Sequence, residues 1–180
     1  MNQNLKEVFQ ATELNHKGKF LDFRRDRVVL PNGKTATREY LRHPGAVAAL
    51  PLFNDGTALL VKQFRYPTGE VILEIPAGKL EVGEDPITCI QRELAEEVCY
   101  HPGHLVHLAS IWTTPGFTDE IIHLYLATQL KPASLKRDAD EFLEIVRLSK
   151  AELLDHLNNG GILDGKTALT ITMVEMKKLW

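Results

Sequence analysis

Residues 78–100 read GKLEVGEDPITCIQRELAEEVCY. Gly78 opens the stretch, Glu84 stands six positions on, Arg92–Glu93 come after seven intervening residues, and Glu96–Glu97 close it. Asp85 is a natural N-cap, with Pro86 at the first helical position. Ile87, Ile90, Leu94 and Val98 recur at spacings of three and four, which predicts a helix over 85–98 with one apolar stripe. Glu93, Glu96 and Glu97 then share a face, their Cβ atoms roughly 5–6 Å apart. Three like charges destabilise an isolated helix, and a cation among them offsets the repulsion. Hard divalent cations are held by carboxylates so arranged and in turn hold phosphates. Arg92 is expected on a different face from Glu96, paired with Glu84. Gly78 allows the backbone to approach the helix. An acidic helix alone is more often simply solvated, so the surrounding pattern has to decide.

Working outward, Lys19–Arg42 is strand-like on both sides of the turn Pro31-Asn32-Gly33-Lys34, which predicts a hairpin. Too small to stand alone, it should pack on the main body or on a second subunit. His43-Pro44-Gly45 marks its end, dividing the chain into an N-terminal β-extension (1–43) and a main domain (44–180). Residues 46–53 and 57–64 flank Asn54-Asp55-Gly56 and predict a second, more buried hairpin. Further strands are expected over 69–75, 104–111, 120–128 and 142–148, with a loop at 113–119 and a mobile polar loop at 131–140. A Ser149-capped helix should run to Asn158, and a last helix should span about 167–179. Interspersed strands and helices make the fold mixed α/β.

The bulk numbers remove other classes. The chain has 180 residues, 44% hydrophobic and 25% charged, which predicts a packed core rather than disorder. A net charge of −3 argues against a nucleic-acid binder. No apolar run approaches the length of a membrane span, and the first ten residues hold no apolar signal region. Cys89 and Cys99 would lie on different helix faces, which argues against a disulfide and for a reduced, cytoplasmic protein.

Two short patterns compete with this reading. Residues 160–167, GGILDGKT, satisfy the phosphate-loop pattern GxxxxGK[ST]. A phosphate loop follows a strand, whereas a helix precedes this one, and only thirteen residues follow Thr167. A turn between two helices, with Asp164 or Thr167 capping the second, is expected. His101, His104 and His107 are separated by Pro102-Gly103, so they read as loop and strand-surface residues.

Residues 78–100 fit GX5EX7REUXEEXGU, U being a bulky apolar residue, at all but the last two fixed positions, where Cys99 and Tyr100 stand. This is the box of the Nudix hydrolases, and the chain resembles that family. The glycine replaced by Cys99 belongs at a helix C′ position with positive φ, where cysteine costs about 1 kcal/mol. Residues 73–78 (LEIPAG), 113–120 (TTPGFTDE, with Pro115) and 38–47 with 63–67 (REYLRHPGAV and QFRYP) resemble the ADP-ribose pyrophosphatase branch, which also includes other nucleotide-sugar hydrolases.

The resemblance implies an α/β/α sandwich with a mixed sheet and an N-terminal β-extension. It implies hydrolysis of ADP-ribose or a related nucleoside diphosphate sugar to a nucleoside monophosphate and a sugar phosphate. A GDP-mannose hydrolase is the near alternative, and a non-catalytic nucleotide-sugar sensor a more distant one. Metal ligands by resemblance are Glu93, Glu97 and the carbonyl of Ala77, with Glu96 beside them. They would hold Mg²⁺, which Mn²⁺ could replace. Arg38 and Arg65 would contact the diphosphate, Glu74 would join the substrate site, and Phe20 would stack on the base, supplied by the partner subunit, or pack as a hairpin core residue. Glu141 is the expected catalytic base, with Glu144, Asp140 and Glu96 as rivals. A homodimer is implied, with no nucleic-acid or membrane partner.

Overall fold

The computed structural model describes residues 5–133, 135 and 142–180. Its elements in chain order are β1 (Val8–Lys17), β2 (Asp22–Val29), β3 (Thr35–Arg42), β4 (Ala46–Pro51), β5 (Thr57–Arg65), β6 (Glu70–Glu74), β7 (Ala77–Lys79), α1 (Pro86–Glu97), β8 (Tyr100–His101), β9 (His104–Trp112), β10 (Ile121–Thr128), β11 (Lys131–Pro132), β12 (Leu143–Ser149), α2 (Lys150–Asn158) and α3 (Gly165–Met176). The chain forms two compact units, one comprising 1–45 with 112–121, the other 46–111 with 122–180.

In the first unit β2 and β3 pair antiparallel, from Asp22 opposite Arg42 to Val29 opposite Thr35. The expected turn closes them: the Gly33 N–H donates to the Leu30 carbonyl at 2.9 Å, with Gly33 at φ 80°. The expectation of a simple hairpin is corrected, because β1 adds a third antiparallel strand on the β2 edge. All ten β1 residues are exposed, so no buried face imposes an alternating pattern, and two register shifts break its period. Residues 112–121 join this unit through hydrogen bonds. The Leu41 N–H donates to the Phe117 carbonyl at 2.8 Å, the His43 N–H donates to Asp119 Oδ1 at 2.8 Å, and Arg42 pairs with Asp119 at 2.8 Å.

The second unit is built on two larger sheets, ordered β7-β4-β10-β9 and β12-β5-β6, with β8 and β11 forming a two-stranded one. The first is mixed, because β4 runs parallel to β10 and antiparallel to β7. Residues 46–53 and 57–64 do form strands about a tight turn, but the second hairpin is corrected. Only Leu52 and Ala58 bridge, and β4 and β5 part into different sheets. β4 is buried on both faces between β7 and β10, and β5 pairs with β6 and β12.

The alternation along these strands sorts the core into two layers. Ala48, Leu50, Leu60, Leu124 and Leu126 pack in a cluster with Leu153 of α2 and Ile171 and Val174 of α3. Val47, Ala49, Leu59, Val61 and Tyr125 pack in the other with Cys89, Ile90 and Leu94 of α1. Helices on opposite faces of the strand layer make this unit the expected α/β/α sandwich. Each large apolar side chain so buried contributes about 1.5–3 kcal/mol.

Helix α1 begins as its sequence demands. Asp85 accepts from the Ile87 and Thr88 N–H groups at 3.0 and 3.2 Å, and Pro86 follows. Its apolar stripe runs through Cys89, Ile90, Leu94 and Val98, whereas Ile87 is 49% exposed, a correction to the expected face. Ile87 is the second residue of the helix, ahead of Cys89 and Ile90, where the buried stripe begins. The helix ends at Val98, and Cys99 takes φ 63°, the left-handed conformation expected of the glycine it replaces. Both cysteines are free thiols. Among the described residues no helix is long and apolar enough to cross a membrane.

Two stability measurements by urea unfolding check this packing. Leu94→Ala should cost about 2–5 kcal/mol, and Ile87→Ala no more than about 0.5 kcal/mol. Cys99→Gly should stabilise by about 1 kcal/mol, because glycine adopts positive φ without a Cβ clash.

Candidate functional site

Helix α1 turns its acids toward β7 and the loop between them. Glu93 and Glu97 are buried, at 7% and 3% exposure, an unusual state for carboxylates. Glu97 Oε2 accepts from the Ala77 N–H at 3.0 Å, tying the helix to the start of β7. Glu93 lies flat against Gly78: a Cβ there would stand 1.9 Å from the Glu93 carboxyl carbon. The glycine is therefore required by close approach of a carboxylate.

Arg92 is the cation of this group. Its Nε and Nη2 donate to the two oxygens of Glu84, both at 3.1 Å, the pairing expected from the sequence. Its Nη1 donates to Glu93 Oε1 at 2.8 Å and Glu96 Oε2 at 3.3 Å. The expectation that Arg92 faces away from Glu96 is thus corrected, since residues four apart share a helix face. Hydrogen bonds from Arg92 hold the Glu84 carboxyl down to about 2. Burial and the bond to Glu84 push the Cys89 thiol up to about 12, so it is inert as a nucleophile.

A second polar group lies where β5, β6 and α3 meet. Glu74 is 1% exposed and accepts from Arg65 Nε at 2.7 Å and Nη2 at 3.0 Å. Lys166 Nζ also donates to Glu74 Oε2 and stands 3.0 Å from Asp164 Oδ2. Burial presses the Glu74 carboxyl upward, but Arg65 and Lys166 together outweigh it and hold the value below the usual one. The Ile75 N–H donates to Thr167 Oγ1 at 2.9 Å, and Asp164 caps α3 by accepting from the Thr167 N–H at 3.0 Å. The GxxxxGK[ST] stretch is accordingly the turn between α2 and α3, with Asp164 as the cap.

The structure brings Glu93, Glu96, Glu97 and Ala77 together at the C-terminal half of α1 and the start of β7, and pairs Arg65 with Glu74. Arg38 and Phe20 belong to the first unit. Arg38 is exposed and ion-paired with Glu7, and Phe20 is half exposed with its ring edge-on to His43 at 6.3 Å, so it is no core residue. Glu141 and Asp140 lie outside the described residues. Glu144 is exposed on β12 and pairs with Lys62 at 3.4 Å. Sequence reasoning missed Lys166 and Thr167. Their signal was present in Gly165-Lys166-Thr167, but their partners, the Glu74 carboxylate and the Ile75 N–H, are each 92 residues away.

Oxygen donors on successive turns of α1, with a glycine making room beside them, match the chemistry of a hard divalent cation. Among the described residues no three His, Cys, Asp or Glu side chains are already grouped as a ligand set, because Glu93 and Glu96 are turned to Arg92.

The NUDIX domain profile matches residues 42–164, and the chain belongs to that family. It is 41% identical over 178 residues to an ADP-ribose pyrophosphatase of Bacillus subtilis (strain 168), covering 98% of this chain and 96% of that protein. It is 40% identical over 180 residues to a methanol dehydrogenase activator of Bacillus methanolicus, covering 99% and 97%. Among solved structures, that of an ADP compounds hydrolase superposes with a TM-score of 0.84 over 96% of this chain and 94% of that one, at 21% identity, a likeness of fold.

The Glu74 carboxyl, ordinarily near 4.5, is lowered in the folded protein. Its contribution to stability is therefore complete above about pH 4.5 and is lost as pH falls through the folded value. In acid unfolding followed by circular dichroism, Glu74→Gln should be less stable at neutral pH but should show a shallower loss below about pH 4.5.

Proposed function

We propose that this protein hydrolyses ADP-ribose or related nucleoside diphosphate sugars to a nucleoside monophosphate and a sugar phosphate. The observation that carries the reading is the pair of buried carboxylates, Glu93 and Glu97, with Gly78 flush against the first. It is supported by family membership and by 41% identity to an ADP-ribose pyrophosphatase along nearly the whole chain.

In this reading Glu93, Glu97, Glu96 and the Ala77 carbonyl hold a divalent cation, Mg²⁺ in first place with Mn²⁺ able to replace it. Such an ion neutralises charge on the diphosphate and lowers the pKa of water. Arg92 keeps the acids clustered before substrate arrives and pins the Glu84 loop to the helix. Arg65 binds the diphosphate oxygens and Glu74 orients it; Arg38 is assigned to diphosphate contact, and Phe20 of the partner subunit to stacking on the base. Glu141 takes the proton from the attacking water, with Glu96 as the rival base. The β-extension is assigned to dimerisation and substrate contact, and the working form is a cytoplasmic homodimer.

A second reading, activation of a partner dehydrogenase, rests on the 40% identity to the methanol dehydrogenase activator. It differs by its readout, acceleration of methanol oxidation by the dehydrogenase.

The test is turnover of ADP-ribose, GDP-mannose, ADP-glucose and UDP-glucose with Mg²⁺, followed as phosphate released after phosphatase coupling. ADP-ribose should be cleaved, and EDTA should abolish cleavage. Binding without cleavage of any of the four would replace the enzyme reading with the sensor. Glu93→Gln and Glu97→Gln should each lower kcat by about 100-fold or more. Gly78→Ala should do the same by displacing the Glu93 carboxylate, while its unfolding free energy stays within about 1 kcal/mol of wild type. Glu141→Gln should lower kcat by about 100-fold with little change in KM. If Glu96→Gln does so instead, the base is Glu96.

A further inference from the structure

Lys166 has no part in the function proposed above, yet its side chain is only 11% exposed. Lysine is rarely buried unless its charge is matched. Here it is matched by two carboxylates, Glu74 and Asp164, and Glu74 is shared with Arg65. Two cations and two anions form a neutral group. Its members are unequally exposed: Arg65 41%, Asp164 16%, Lys166 11% and Glu74 1%. The guanidinium is thus the only one of the four with substantial access to solvent.

We propose that Lys166 is a positioning residue for substrate binding: by sharing Glu74 and answering Asp164, it leaves the Arg65 charge available to a diphosphate. This rests on the role given to Arg65 in the proposed function. Without Lys166, the buried Glu74 and the partly buried Asp164 face one guanidinium. The group then carries a net negative charge, which draws Arg65 inward and opposes an anionic substrate. The same turn also holds the backbone leading to the acids. Thr167 Oγ1 accepts from the Ile75 N–H and donates to Asp164 at 2.5 Å, the Pro76 carbonyl accepts from the Ala49 N–H at 3.1 Å, and Ala77 follows with its N–H on Glu97. The first turn of α3 therefore anchors both the arginine and the strand end preceding β7.

The role predicts opposite effects for opposite charge changes, which a scaffold role does not. With ADP-ribose and Mg²⁺, Lys166→Met should raise KM by roughly 10- to 100-fold while kcat falls less than about threefold, and Lys166→Arg should restore KM to within about threefold. Asp164→Asn, which keeps a good cap for α3, should lower KM. Unchanged KM in Lys166→Met would overturn the proposal. So would an Asp164→Asn variant that raises KM. If Lys166→Met does not fold, the sign of the Asp164→Asn effect decides. If the wild-type protein turns over none of the nucleotide sugars, the proposed function fails on its own. The positioning role is then read from calorimetric Kd values for ADP, weaker in Lys166→Met if it holds and equal to wild type if it does not.

Discussion

Arg92 amid Glu84, Glu93 and Glu96 is the interaction on which the rest of the second unit depends. Carboxylates crowded on one helix repel each other and resist burial, since an unpaired charge in the protein interior is costly. One guanidinium meets three of them through Nε, Nη1 and Nη2. It also fastens the 81–84 turn, because Glu84 accepts from the Glu81 N–H as well. The planar fork suits this task, whereas a lysine could place only a point charge. With three acids held by one guanidinium, α1 presses its apolar stripe of Ile90, Leu94 and Val98 onto β4 and β5.

The polar group around Glu74 follows the same rule at a second place. A carboxylate almost wholly removed from water has both oxygens occupied by cations. Here the carboxylate is the shared centre and the cations lie around it, the inverse of the Arg92 arrangement. Between the two groups runs the short segment 75–77. Its N–H groups at Ile75 and Ala77 bond to side chains of α3 and α1, respectively. Backbone donors that would otherwise be orphaned in a buried bend thus become the links between the helices.

Much of this was legible because it is local. The start of α1 follows from Asp85-Pro86, the start of α2 from Ser149 with Glu152 in a capping box, and the β2–β3 turn from Asn32-Gly33. The pairing of Arg92 with Glu84 and the positive φ at Cys99 were legible from the spacing of the box. Less was legible where partners are distant or absent. β1 has no buried face to pattern it, and β4 and β5 look like a hairpin until the sheets to which each belongs are known. The stretch holding Lys166 was legible as a turn between two helices, but nothing local to it pointed to Glu74.

The sequence by itself determined the helix that carries the acids, their common face and the glycine beside them, because caps, periodicity and close approach are properties of neighbours along the chain. Only the tertiary structure decided which strands share a sheet and how Lys166 meets Glu74. Those depend on groups many tens of residues apart being buried together, where an unmatched charge or an unpaired N–H is too costly to leave.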